Sequence, residues 1–219
     1  MTYQDLKDVC VAACHDQHAC AEGYKEILAA NNAGMLAMAM RHHWNDCYNG
    51  PFYDAIKDNI NNIGELTDDF ANAEIFFNKS STHGIVVIND CNQKYCIHGS
   101  AECYVYDKGN IDVYENGQVY CKIADSNLFM AGKSYGIIEN QKNLVVKDYC
   151  SVQLKNCEAI CFNSPTIKAT DCNIDVYEFG RIEAFGSTNI ILHGNTAITP
   201  ENASRYNLIL NDDSKSIYK

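Results

Sequence analysis

Thiols, imidazoles and carboxylates are the side chains here that could do chemistry, and their spacing decides what each group is good for. Cys10, Cys14 and His18 fall at i, i+4 and i+8 of one helical stretch, with His15 and Cys20 beside them, which gathers thiolate and imidazole ligands of the kind zinc takes. A structural zinc site needs four ligands in tetrahedral array, commonly with a C-x2-C pair, and no such pair occurs in the chain. These thiols are therefore expected in a core, as small apolar groups, with no metal and no other cofactor. His42 and His43 precede Trp44 and Asp46, a grouping suited to acid–base work or to an aromatic binding spot. Neighbouring helical residues point about 100° apart, so only one of the two histidines is expected to face any given site. His98 and His193 are 95 residues apart, too many repeats to share a metal within one subunit.

Asp112, Glu115, Asp175, Glu178 and Glu183 are carboxylates at outward positions, which could serve glycosidase or lyase chemistry or calcium binding. Lys108, Lys122, Lys155, Lys168 and Arg181 are interleaved with them, and a solvated, charge-balanced face is the plainer reading. Tyr104, Tyr106, Tyr114, Tyr120, Tyr177, Phe179 and Phe185 form an aromatic stripe able to stack on sugars or bases or to anchor a protein interface. The candidate partner-binding set is thus Tyr104, Tyr106, Tyr114, Glu115, Tyr177, Glu178, Glu183, Phe185 and Trp44. No catalytic residue is assigned. Nucleotide-binding and hydrolase motifs are absent, and Gly132-Lys133-Ser134 lacks the upstream glycine of a phosphate loop.

The elements that position these residues are legible in an internal repeat. Asn110-Ile111-Asp112-Val113-Tyr114-Glu115 recurs letter for letter as Asn173-Ile174-Asp175-Val176-Tyr177-Glu178, 63 residues later. Between and around the copies, units of seven to nine residues begin at Tyr95, Cys103, Ile111, Val119, Leu128, Ile137, Leu144, Val152, Ala159, Ile167, Ile174, Ile182, Ile190 and Ala197. Each carries a second small or apolar residue two positions on, as in Ile111/Val113 and Ile182/Ala184, the period of a strand with one buried face. About fourteen short strands at such even spacing predict a parallel β-solenoid over residues 84–198, in which equivalent positions stack and select the same residue type. A sandwich or barrel of hairpins is the alternative. The 63-residue interval is about eight units, which favours two strands per coil over three.

Residues 1–80 read as helices rich in Ala, Leu, Met, Glu and Lys, with breaks at Asn31-Asn32 and Asn49-Gly50-Pro51. Leu6, Val9, Cys10, Ala13 and Cys14 mark one packing stripe, and Gly34 to Cys47 is expected to be a single helix. The fold class is accordingly α+β, a helical domain followed by the solenoid, whose open end the helices could cap. Residues 199–219 form a tail, with Tyr206–Leu210 as a short strand or strap over the other end.

Composition bounds the function. The 219 residues carry 17 basic and 28 acidic side chains, and residues 1–84 hold 12 of the acids against 5 bases. Acidity of this degree argues against direct nucleic-acid binding, which depends on Lys and Arg displacing counterions. No window reaches a membrane span, and Met1–Asp8 has no signal-like pattern, so a cytoplasmic location with reduced cysteines is expected.

The acidic helical front, with Ala19-Cys20-Ala21-Glu22-Gly23-Tyr24 and the aromatic Trp44, Tyr48, Phe52 and Tyr53, followed by octapeptide-like units, resembles uncharacterised short-repeat β-solenoid proteins of gut-bacterial phages and mobile elements. This chain departs from them in its bulkier Tyr, Cys and Ile. The resemblance implies an accessory role in a bacterial host cytosol, directed at a host defence system or a virion component, and brings no catalytic residues. The expected function is a non-catalytic interaction protein that binds a host macromolecule, a protein above all, through the solenoid face and the acidic helices, self-association being left open. A carbohydrate-binding or carbohydrate-active β-helix is the alternative, as is an oligomer that sequesters a nucleotide.

Overall fold

A computed structural model describes residues 1–17, 21–49, 52–59, 66–122, 126–178, 180–193, 206–210 and 215–218. Six helices come first: α1 (Tyr3–Gln17), α2 (Ala21–Ala29), α3 (Ala33–His42), α4 (Trp44–Asn49), α5 (Phe52–Asn59) and α6 (Thr67–Asn72). The strands that follow are β1 (Ile75–Phe77), β2 (Ile85–Ile88), β3 (Tyr95–Ile97), β4 (Glu102–Val105), β5 (Asn110–Val113), β6 (Gln118–Cys121), β7 (Asn127–Met130), β8 (Tyr135–Glu139) and β9 (Asn143–Val146). They continue as β10 (Ser151–Lys155), β11 (Glu158–Asn163), β12 (Thr166–Thr170), β13 (Asn173–Glu178), β14 (Gly180–Phe185), β15 (Asn189–His193), β16 (Tyr206–Leu210) and β17 (Lys215–Tyr218).

Every pairing is parallel and, apart from that of β1 with β2, skips one strand. One sheet runs β1-β2-β4-β6-β8-β10-β12-β14-β16 and the other β3-β5-β7-β9-β11-β13-β15-β17. The chain is therefore a two-sided β-solenoid, each coil adding one strand to sheet A and one to sheet B. From β2 to β15 in-register partners are 15 to 17 residues apart, as Val152 to Ile167 and Ile111 to Leu128, which is two of the seven-to-nine-residue units. The two Asn-Ile-Asp-Val-Tyr-Glu copies lie on β5 and β13 of sheet B, in the same register columns.

The core between the sheets is built from the predicted alternation: Ile111, Val113, Val152, Leu154, Ile182, Ala184, Ile190 and Leu192 all point inward and are buried. The unit at Ile137 is shifted by one residue. In β8 the inward pair is Gly136 and Ile138, while Ile137 faces out. A Cβ on Gly136 would meet Met130 Cε at 2.9 Å and Sδ at 3.1 Å, so the methionine of sheet B fills the space that the glycine vacates. The unit at Ala197 lies outside the described residues.

Corners turn through left-handed residues. After sheet B strands these are Gly99, Glu115, Gly132, Asp148 and Asn163, and after sheet A strands Asn140, Asn156, Asp171 and Gly186. Gly, Asn and Asp dominate because they tolerate positive φ at least cost. The corners after sheet A turn backbone N–H groups inward, and a buried ladder of Ser126, Gln141, Cys157, Cys172 and Thr188 receives them. Ser126 Oγ accepts from Gly109 N–H at 3.1 Å, Gln141 Oε1 from Ser126 N–H at 3.1 Å, Cys172 Sγ from Cys157 N–H at 3.4 Å, and Thr188 Oγ1 from Cys172 N–H at 3.2 Å. Satisfying these donors internally is what keeps the dry corner stable.

Two boundaries differ from expectation. Ile75–Phe77 belongs to sheet A, because a three-residue apolar run has no period of its own and β2 offers it a parallel partner. The tail extends the solenoid: β16 pairs with β14 and β17 with β15.

The helices form a second core of Leu6, Cys10, Cys14, Ile27, Leu36, Met40 and Phe70, continuous with Ile75, Ile85, Val87, Tyr104 and Tyr106 of sheet A. They thus pack on the outer face of its first strands, and β2 is buried on both faces. The edge of β3 is covered instead by the preceding loop, where Ser80 Oγ accepts from Cys96 N–H at 2.8 Å and Ser81 N–H donates to Cys96 O at 3.2 Å. The helix expected over Gly34–Cys47 breaks at His43, which turns Trp44 and Tyr48 onto the sheet.

Candidate functional site

Among the described residues no helix covers the outer face of sheet B, and register there arranges side chains in three columns running along the solenoid axis. The first is Asn110, Asn127, Asn143, Glu158, Asn173 and Asn189. Carboxamides in such a column can bond along the axis, as Asn189 Nδ2–H does to Asn173 Oδ1 at 3.0 Å. The second is Asp112, Phe129, Val145, Ile160, Asp175 and Ile191. The third reads His98, Tyr114, Ala131, Lys147, Phe162, Tyr177 and His193 by continuation of the same register.

The third column is a self-supporting stack. His98 lies on Tyr114 with centroids 5.1 Å apart, Phe162 on Tyr177 at 5.1 Å, and Tyr177 on His193 at 4.2 Å. The small Ala131 leaves a gap that Phe129 and Lys147 cover: the ammonium sits 5.7 Å from the Phe129 ring centroid and 5.4 Å from that of Phe162. Cation–π contact of this kind holds a lysine where an aromatic ring would otherwise continue the stack.

Carboxylates bracket the apolar stretch of the middle column. Asp112, buried, accepts from Lys94 Nζ at 2.9 Å and from Tyr114 Oη at 2.8 Å. The hydrogen bond to Asp112 pushes the Tyr114 phenol up to about 12. At the other end Asp175 Oδ1 lies 2.6 Å from His193 Nε2. Between them Phe129, Val145 and Ile160 form an apolar strip, Ile160 being 43% exposed. Asp112 and Asp175 are four strand spacings apart, roughly 19 Å at about 4.8 Å per coil. This strip floors a groove of about 680 Å³ whose rims include Lys94, Lys142, Glu158 and the asparagine column.

The predicted partner-binding residues are distributed over this frame unequally. Tyr114 and Tyr177 stand in the third column, and Glu115 is exposed at the corner beyond Tyr114 with φ of 58°. The side chains of Glu178 and Phe179 lie outside the described residues. Glu183 and Phe185 are on sheet A, in β14, with Lys168 Nζ 5.1 Å from the Phe185 ring centroid. Trp44, Tyr104 and Tyr106 are not on a free surface at all: each is at most 2% exposed in the junction between helices and sheet A. Outward strand positions were read as solvent-facing, but on β4 they are the floor on which the helices sit. Trp44 packs edge-on against Tyr104 and Tyr106, and Tyr48 Oη–H reaches Val105 O at 3.1 Å and Tyr120 O at 3.0 Å. The single aromatic stripe of the sequence is therefore two stripes on opposite sheets, one of them structural.

The remaining chemical groupings resolve as follows. Cys10 and Cys14 are buried in the helical core, where burial pushes the Cys10 thiol up to about 12; His18 and Cys20 lie outside the described residues. His42 and His43 both face Glu26, at 3.2 Å and 3.6 Å, because the chain leaves the helix at His43. The hydrogen bond from His42 and the charge of His43 hold the Glu26 carboxyl below its ordinary range. His98 and His193 occupy one column at its two ends. No group of three or more potential metal ligands occurs among the described residues.

Phe129, Val145, Ile160, Lys147 and Phe162 were not singled out in the sequence. The signal was available: extending the positions of Asp112 and Tyr114 by one coil at a time lands on each of them.

No protein-family profile matches the chain, and no curated protein or solved structure is significantly similar to it. No helix among the described residues is long and apolar enough to cross a membrane.

Proposed function

We propose that this chain is a non-catalytic binding protein that docks a protein partner on the outer face of sheet B. The observation that carries the reading is the apolar Phe129–Val145–Ile160 strip, half-buried at Phe129 and Val145 and exposed at Ile160, which floors a groove of about 680 Å³ rimmed by the asparagine column. Such a face meets a partner without first ordering its own side chains, which lowers the entropic cost of association. The carboxylates at its ends are engaged by Lys94, Tyr114 and His193, an arrangement suited to shaping a surface. On the layout resemblance, the partner is a host macromolecule and the protein an accessory factor of a phage or mobile element, acting in a bacterial cytoplasm.

A carbohydrate partner is the weaker reading. Rings that grip a sugar offer it their faces, whereas Tyr177 uses its two faces on Phe162 and His193.

The test is affinity capture from a bacterial cytosolic lysate with three tagged proteins: the native chain, Ile160→Lys, and Lys168→Glu on the opposite sheet. A stoichiometric protein held by the native chain and by Lys168→Glu, but lost with Ile160→Lys, supports the proposal. Equal capture by all three, or a thermal shift with an oligosaccharide that disappears in Tyr177→Ala, overturns it.

A further inference from the structure

The buried corner ladder contains two thiols in consecutive coils, and the reading of sheet B leaves them unused. Cys157 and Cys172 immediately precede Glu158 and Asn173, which are register partners, so the two cysteines occupy the same rung position one coil apart. In-register Cα atoms on adjacent coils are about 4.8 Å apart, inside the span of about 4.4–6.8 Å that a disulfide bridges. Both side chains point into the corner, 2% and 1% exposed, and Cys172 Sγ lies 3.4 Å from Cys157 N. Cys157 Sγ–H has the carbonyls of Lys155 and Ile138 within 3.2 and 3.4 Å.

We propose that Cys157 and Cys172 are a modification site for a small two-electron oxidant of the hydroperoxide class, which joins them in a disulfide that staples adjacent coils. The first step is attack of the Cys172 thiolate on a peroxide oxygen, which breaks the O–O bond, gives the Cys172 sulfenic acid and releases hydroxide. The Cys157 thiol then attacks that sulfur; the S–S bond forms, the S–O bond breaks, and the Cys157 proton leaves with the oxygen as water. In total two thiols lose two electrons and one hydrogen peroxide becomes two waters. Cys172 is the nucleophile because contact with the Cys157 side chain, and with the Cys157 N–H at 3.4 Å, lowers its thiol from the ordinary range, while contact with Cys172 and burial raise that of Cys157. The exposed Asn156 and Asp171 stand one residue before the two thiols, so a small uncharged oxidant has only the corner to pass.

Cys91 is exposed, and Cys103 and Cys161 are buried in the core, where burial raises both thiols.

The full chain, fully reduced and then freed of reductant, is exposed to hydrogen peroxide, alkylated under denaturing conditions and mapped by peptide mass spectrometry. The expected result is a Cys157–Cys172 linked species lacking two hydrogens, with an upward shift in Tm that dithiothreitol reverses. Cys157→Ser is expected to fold, since serine already serves at the equivalent Ser126, and to leave Cys172 as a sulfenic acid that dimedone captures. Recovery of Cys157 and Cys172 as separately alkylated peptides while Cys91 is oxidised overturns the proposal, as does a dimedone adduct on other cysteines but not on Cys172 in Cys157→Ser.

Discussion

Trp44→Ala tests how the helical domain is held to the solenoid. The indole is 2% exposed and meets Tyr104 and Tyr106 edge-on at 6.3 and 6.5 Å. Truncating a buried Trp to Ala costs about 3–5 kcal/mol, and of this the two aromatic contacts account for roughly 0.5–1.5 kcal/mol each. Coils of a solenoid are stabilised chiefly by their immediate neighbours, so the loss should stay local. Hydrogen exchange read by mass spectrometry should show protection falling in α1 to α6, β1 and β2, while β10 to β15 exchange as in the native chain. Trp44→Phe is the companion variant. Its ring keeps most of the packing and removes an indole N–H that is buried with no hydrogen-bond partner among the described residues, so its cost should be well below that of alanine. Uniform deprotection of every strand in Trp44→Ala, or Trp44→Phe as damaging as Trp44→Ala, would refute a locally packed junction.

Four further outcomes are expected. Gly136→Val should destabilise by about 1–3 kcal/mol through collision with Met130, and Met130→Ala in the same chain should recover part of it, a non-additivity that denaturant melts of the single and double variants will read. Glu115→Gly should raise stability by up to about 1 kcal/mol, since Glu115 holds φ of 58° where Gly99 and Gly132 serve one coil to either side. Tyr114, raised to about 12 by its bond to Asp112, contributes stability that is complete below the ordinary tyrosine range and is lost as pH climbs from about 10 toward that value. Asp112→Asn should bring its ionisation back down, which an alkaline absorbance titration differenced against Tyr114→Phe will show. Ile160→Lys should leave the melting temperature within a degree or two, its side chain being 43% exposed, so that any lost binding is attributable to the surface.

The solenoid was legible because stacking repeats a residue type, and the Asn-Ile-Asp-Val-Tyr-Glu pair made that repetition visible. Alternation then marked the inward residues wherever they were bulky. It failed at Gly136, where the inward position holds no side chain and Ile137 mimics it. The functional face was less legible for two physical reasons. An outward residue on a strand carries no sign of whether another element will cover it, so Tyr104 and Tyr106 read the same as Tyr114. A column is assembled from residues 15 to 17 apart, and Phe129, Lys147 and Ile160 acquire meaning only once the coil length is known. Ile75–Phe77 was hidden by its brevity, and the break at His43 by the strong helical composition on both sides.

The coil-by-coil register has one more consequence. Deleting or duplicating a stretch of about sixteen residues within the solenoid would return every column to its own place and alter only how far the sheet B face extends, by about 4.8 Å each time. The helical domain, anchored on β1, β2 and β4, would not feel the change. Reach toward a partner is thus a property this architecture can vary by simple genetic duplication, in steps, independently of the chemistry displayed at each step.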